Sequence, residues 1–108
     1  MADFAYIIIF VTTSTPQEAQ TISAKLLESR KVACATVVPK VDSRYWWKGK
    51  IDTSEESLLI LKTKASMFTQ VVDIVKSLHS YEVPEIIAMP IIDGNSDYLK
   101  WIDAEVQE

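Results

Sequence analysis

V32-A-C-A-T-V-V-P-K-V-D-S-R-Y-W-W-K-G-K-I-D-T-S-E-E-S-L-L-I-L-K-T-K64 is the stretch whose reading decides the fold. Its first arm, Val32 to Trp47, is rich in β-branched and aromatic residues, and its second climbs from Lys50 to the apolar run Leu58-Leu59-Ile60-Leu61. Between them Lys48-Gly49 supplies the glycine that a tight hairpin turn needs for positive φ. The stretch therefore reads as one long antiparallel hairpin. Pro39 has no N–H to give to a ladder, so a bulge or an edge is expected there. The helices that 108 residues can also supply are too few to cover such a hairpin. Its far end, with Tyr45, Trp46 and Trp47 in succession, is expected to present aromatic surface to another subunit.

Working outward, Ala5 to Thr13 is a continuous apolar run, the pattern of a strand paired or covered on both sides. A capping box follows, with Thr15 as N-cap, Pro16 at the first helical position and Glu18 returning a hydrogen bond. Ala19, Ile22, Leu26 and Leu27 then recur at helical spacing, which predicts a helix to about Arg30, with Arg30 and Lys31 complementing its dipole. Beyond the hairpin, Ser66 to His79 reads as a second helix, with Phe68, Val71, Val72, Val75 and Leu78 on one face. Glu85 to Ile92 reads as a fourth strand, broken late by Pro90. Asp93-Gly94-Asn95 makes a turn, and Asn95 or Ser96 caps a last helix carrying Tyr98, Leu99, Trp101 and Ile102. The order β-α-β-β-α-β plus a terminal helix is the ferredoxin-like α+β arrangement, a single domain over residues 1–108. Two helices should pack on one face of a four-stranded antiparallel sheet. The strands are apolar on both parities, so a partner is expected on the open face.

Composition narrows the function classes. At 48% hydrophobic and 24% charged the chain is ordinary globular protein, not a disordered one. Its net charge of −4 comes without a basic run, which argues against nucleic acid and suits cations or other proteins. The apolar run Ala5 to Val11 is far too short to span a membrane and lacks the basic flank of a signal segment, so the expected location is the cytoplasm. A single cysteine, Cys34, excludes an intrachain disulfide and any CxxC motif. Two glycines exclude a Walker loop and a GxGxxG fingerprint, and no HExxH is present. VTTSTP lacks the arginine of an acylphosphatase-like anion loop, and no serine sits in a nucleophile-elbow context for His79. No enzymatic activity is therefore expected.

His79-Ser80-Tyr81-Glu82-Val83-Pro84-Glu85 remains, the one place where the only imidazole stands near carboxylates. Imidazole nitrogen and carboxylate oxygen are competent ligands for copper, zinc or nickel. One chain offers too few for a closed site, so neighbours in an oligomer would have to add more. The alternative is that His79 serves its helix C-terminus alone. Cys34, in Ala33-Cys34-Ala35-Thr36, is either a small buried strand residue or a further ligand. Tyr45, Trp46 and Trp47 are read as an oligomer contact before a ligand platform. Lys62 and Lys64 end the third strand as a solvated rim or as an anion contact, which Arg44 would join, and Asp52 to Glu56 reads as a solvated acidic bend.

YWWKGKI, LLILKTK, HSYEVPEIIAMPI and GNSDYLKWI together resemble the CutA divalent-cation tolerance family. The match begins at IIFVTTSTPQEA, continues through KLLESRKVACATVVPKVDSRYWW and covers essentially the whole chain. The resemblance implies a tight homotrimer, similar in architecture to the PII signalling proteins, with candidate sites in clefts between subunits. It also implies a link to tolerance and binding of copper and other divalent cations. Animal members are linked instead to anchoring acetylcholinesterase, a scaffolding role. Bacterial members proposed to bind copper carry a cysteine near the end of strand 1 and a His-His pair; here those positions read Val11-Thr12-Thr13 and Leu78-His79. Cys34, Tyr81, Glu82, Pro84 and Glu85 match the family pattern. The implied metal set is His79, Glu82, Glu85 and Cys34, for copper before zinc and with no organic cofactor. The other reading is a PII-like sensor that holds a small anionic metabolite through Lys62, Lys64, Arg44 and Tyr81. A purely structural trimer is the third.

Overall fold

The computed structural model describes residues 4–108. In chain order its elements are β1 (Tyr6–Thr13), α1 (Pro16–Glu28), β2 (Cys34–Trp47), β3 (Lys50–Lys64), a 3-10 turn (Ala65–Met67), α2 (Phe68–Leu78), β4 (Ile86–Pro90) and α3 (Ser96–Glu105). The strands form one antiparallel sheet in the order β2-β3-β1-β4. The long hairpin is as expected, closed between Trp47 and Lys50 with both turn residues left-handed, Lys48 at φ 49° and Gly49 at φ 78°. Positive φ at both central positions is the type I′ geometry, whose twist matches that of the two arms.

The bulge expected at Pro39 is present and decides which side chains face which way. Val38 pairs with Leu58 and Val41 with Glu56, so β2 carries one residue more than β3 across that interval. Ser57 Oγ fills the bulge by donating to the Pro39 carbonyl at 2.7 Å. Side chains alternate along a strand, so the extra residue moves the odd-numbered residues of β2 onto the face that its even-numbered ones held before. Val41, Ser43, Tyr45 and Trp47 thus share a face with Leu58 and Ile60 of β3.

One sheet face carries the core. Ile9 and Val11 of β1 lie beside Leu59 and Leu61 of β3, and Ile22 and Leu26 of α1 with Val71 and Val75 of α2 pack over them. The buried hydroxyls on this face are satisfied, Thr13 donating to the Thr15 carbonyl and Thr63 to that of Lys31. On the opposite face Phe10 lies between Ile60 and Ile87. α3 covers one end of that face. Tyr6 donates its hydroxyl hydrogen bond to Asp103 there, Lys64 Nζ lies 4.0 Å from Asp103 Oδ1, and the Lys62 ammonium stands 5.8 Å from the Tyr98 ring.

Several local expectations are corrected. Thr15 does cap α1, accepting from Glu18 N–H at 3.1 Å, but the Glu18 carboxylate does not return to Thr15. It accepts from Ser14 N–H at 3.1 Å and from Ser80 N–H at 2.9 Å, because the α2–β4 connection brings a second donor to the same carboxylate. α1 stops at Glu28 instead of Arg30. Arg30 adopts φ 60°, with its N–H on Leu27 O and Lys31 N–H on Leu26 O, a Schellman closure with arginine where glycine is usual. Arg30 then pairs with Glu105, and Lys31 Nζ reaches the Gln107 carbonyl, so both cations tie down the C-terminal segment. The second helix begins as the 3-10 turn and ends at Leu78, one residue before His79. β4 ends at Pro90, so Ile91 and Ile92 lie beyond it. Asn95 is the cap of α3, accepting from Asp97 N–H at 3.0 Å.

Candidate functional site

Because the bulge turns Tyr45 and Trp47 onto the uncovered face, the distal half of the hairpin forms one wall of a cleft of about 560 Å³. The segment from Tyr81 to Glu85 forms the other wall, with Thr12 at the end of β1 as its floor. Arg44, Tyr45, Trp47, Tyr81, Glu82 and Glu85, all singled out in the sequence, line it together. So do Asp52 and Glu56, which the sequence reading placed in a solvated bend. That reading is wrong for Glu56, which is only 6% exposed. The signal was parity: Glu56 stands two residues before Leu58 and four before Ile60, on the same face of β3.

Glu56 is held from across the cleft. The Tyr81 hydroxyl donates to Glu56 Oε2 at 2.8 Å, and the Tyr45 hydroxyl donates to Ser54 Oγ at 3.2 Å. Burial, followed by the hydrogen bond to the Glu56 carboxylate and its negative charge, pushes the Tyr81 phenol well above its ordinary range. Tyr81 is therefore a hydrogen-bond donor at any physiological pH.

His79 has a different place from the one expected of a ligand. Its side chain is fully buried. Nε2 lies 2.7 Å from the Thr12 carbonyl, which can only accept, so Nε2 carries the proton. Nδ1 is thereby left as an acceptor, and it takes the Tyr81 N–H at 3.0 Å. Both nitrogens of a neutral imidazole are committed to backbone, and ligation through either would strip a buried peptide group of its partner. The ring also lies against that of Tyr81, with centroids 4.8 Å apart. His79 acts as a strut: it fastens the start of the 79–85 segment to the end of β1 and so sets where Tyr81 reaches Glu56. Glu18 reinforces it through Ser80 N–H. Burial raises the Glu18 pKa, but hydrogen bonds from Ser80 and Ser14 outweigh that and hold the carboxyl below its ordinary value.

The other candidates lie elsewhere. Cys34 pairs with Lys62 at the opposite end of β3 from Glu56. Six residues of strand separate them, about 20 Å at ~3.3 Å per residue. Cys34 therefore cannot join Glu82 and Glu85 within one chain. Lys62 and Lys64 are engaged under α3, so of the proposed anion contacts only Arg44 and Tyr81 reach the cleft. Trp46 points away from it and is 73% exposed. Among the described residues no three His, Cys, Asp or Glu side chains gather closely enough to hold a metal ion. A closed metal centre needs donors from outside the subunit.

The split β-α-β order, the antiparallel sheet backed by α1 and α2, and the cleft under a long hairpin define a ferredoxin-like α+β domain with a carboxylate-lined cleft. The family model for the CutA1 divalent ion tolerance protein matches residues 7–105. The chain belongs to the CutA divalent-ion tolerance family, whose description names no enzymatic reaction. It is 40% identical over 95 residues to the divalent-cation tolerance protein CutA of Thermus thermophilus, covering 88% of this chain and 92% of that one. It is 37% identical over 102 residues to the chloroplastic protein CutA 1 of Oryza sativa, covering 94% of this chain. It spans only 58% of that rice protein and 52% of its human counterpart. The solved structure of the periplasmic divalent cation tolerance protein CutA from Archaeoglobus fulgidus superposes with a TM-score of 0.92 at 38% identity. That superposition covers 94% of this chain and 99% of the other. No helix among the described residues is long and apolar enough to cross a membrane.

Proposed function

We propose that this chain works as a homotrimer in the cytoplasm that binds divalent cations, without catalysing a reaction, in clefts completed by neighbouring subunits. The observation that carries the reading is the convergence of Asp52, Glu56, Glu82 and Glu85 in one cleft, beside aromatic surface that a single chain leaves open. Glu82 and Glu85, on the outer wall, are the proposed ligands. Copper ranks before zinc because Cu²⁺ stands highest in affinity at nitrogen and oxygen sites generally. His79 serves this site as its strut and Cys34 takes no part in it. The names of the relatives, which speak of divalent-cation tolerance, agree with this assignment. The small-anion reading is weaker, since Arg44 there faces four carboxylates. The test is a copper(II) titration of metal-free protein against a competing chelator, run on wild type, Glu82→Gln/Glu85→Gln and Cys34→Ser. Saturable binding should weaken at least about tenfold in the double variant, given the loss of two charged ligands, and be unchanged in Cys34→Ser. Equal uptake by wild type and the double variant would end the proposal.

A further inference from the structure

Residues 79–85 join α2 to β4 without regular structure, and side chains do the fastening. Ser80 N–H goes to Glu18 Oε2 at 2.9 Å, and Ser80 Oγ lies 3.3 Å from Ser14 Oγ. Tyr81 gives its N–H to His79 Nδ1 at 3.0 Å and its hydroxyl to Glu56. The start of the connection thus hangs on two ionisable groups from different elements, His79 at the end of α2 and Glu18 in α1.

A backbone N–H given to an imidazole nitrogen stays bonded only while that nitrogen keeps its lone pair. Nε2 already donates to the Thr12 carbonyl, so a second proton can enter only at Nδ1. Two donors, the ring N–H and the Tyr81 N–H, would then stand 3.0 Å apart, and one of them must leave. Imidazole is the side chain that in general changes charge between about pH 5 and 8.

The groups around the ring decide where its new N–H goes. From α1, Glu18 Oε1 stands 3.9 Å from Nδ1, just outside hydrogen-bond reach. A carboxylate offers about four lone-pair sites, so it has room for the ring beside the Ser14 and Ser80 donors. Those donors hold its carboxyl below the ordinary value, and it is ionised across that range. Among the described residues Glu18 has no other cationic partner, and Asp73 and Lys76 of α2 form no ion pair with the ring. β1 contributes the uncharged Thr12 carbonyl. The Tyr81 phenol, pushed up, stays neutral, and it occupies Glu56 of β3.

We infer that His79 and Glu18 form an acid-operated latch: a proton taken from solvent at Nδ1 turns the ring from the Tyr81 amide to the Glu18 carboxylate and releases the connection that carries Tyr81. Only hydrogen bonds change partners. Tyr81 then loses the anchor that aims its hydroxyl at Glu56. The latch needs no ligand in the cleft, so it stands or falls separately from cation binding there.

The experiment is NMR of metal-free, ¹⁵N-labelled protein from about pH 8 to about pH 5, where the single imidazole makes the ring signals unambiguous. At the upper end the ring should show a protonated Nε2 and a bare Nδ1. Toward the lower end both nitrogens should become protonated. Over the same range the protection of the Tyr81 amide against hydrogen exchange, corrected for the intrinsic pH dependence of exchange, should fall about tenfold. The amides of β1 and β3 should keep theirs. In Glu18→Gln, which retains an oxygen acceptor but not the charge, the change should move to lower pH. A ring that stays neutral until the whole domain unfolds would overturn the inference. So would a fully protonated ring with the Tyr81 amide undisturbed, or a Glu18→Gln titration identical to that of wild type.

Discussion

His79 shows how far the role of one side chain depends on groups remote in sequence. As the only imidazole, beside two glutamates, it was the natural choice of ligand, and nothing nearby in the chain reveals that its ring is held by Thr12, 67 residues away. Its absence should therefore register first in stability. His79→Ala leaves the Thr12 carbonyl and Tyr81 N–H without partners and opens a void, and should cost about 2–4 kcal/mol in denaturant unfolding. A loss below about 0.5 kcal/mol, the range of ordinary surface substitutions, would show that the strut is not structural. Glu18 gives the pH dependence at this scale. Its folded-state pKa lies below the ordinary 4.5, so its contribution is fully present above that value and disappears as pH falls through the lowered one. Unfolding of wild type and Glu18→Gln followed from pH 7 to pH 2 should differ at neutral pH and converge in acid. Curves that stay parallel throughout would contradict the assignment.

At the scale of elements, the hairpin was legible because its signals are local. Gly49 marks the turn and Pro39 the bulge, each through a backbone property of the residue itself. Gly49→Ala has open space for its Cβ but not the conformation, with φ at 78°, and should cost about 1–2 kcal/mol. A neutral result in thermal unfolding would mean that the turn relaxes. The consequence of the bulge was not legible, since it depends on pairing with β3. The ends of α1 and α2 were misjudged for a similar reason. Arg30 closes α1 by a left-handed turn that sequence assigns to glycine, and a 3-10 turn precedes α2 without a capping side chain.

For the whole molecule, the apolar pattern on both strand parities pointed to a second covered face, and α3 accounts for only one end of it. Ile87, Met89 and Trp47 remain open on that face in a single chain, each about half exposed. A contiguous surface of this kind marks a protein interface, and the cleft lies along it. Its carboxylates come from two separate segments, the second arm of the hairpin and the 81–85 connection. Sequence spacing could therefore identify Glu82 and Glu85 but not Glu56 as their companion. The test that bears most directly on the whole account is native mass spectrometry of the metal-free protein during copper addition. The expected result is an assembly of three times the 12.2 kDa chain that takes up a small whole number of ions and then saturates. A stable monomer, or a broad distribution of bound copper with no saturation, would contradict it.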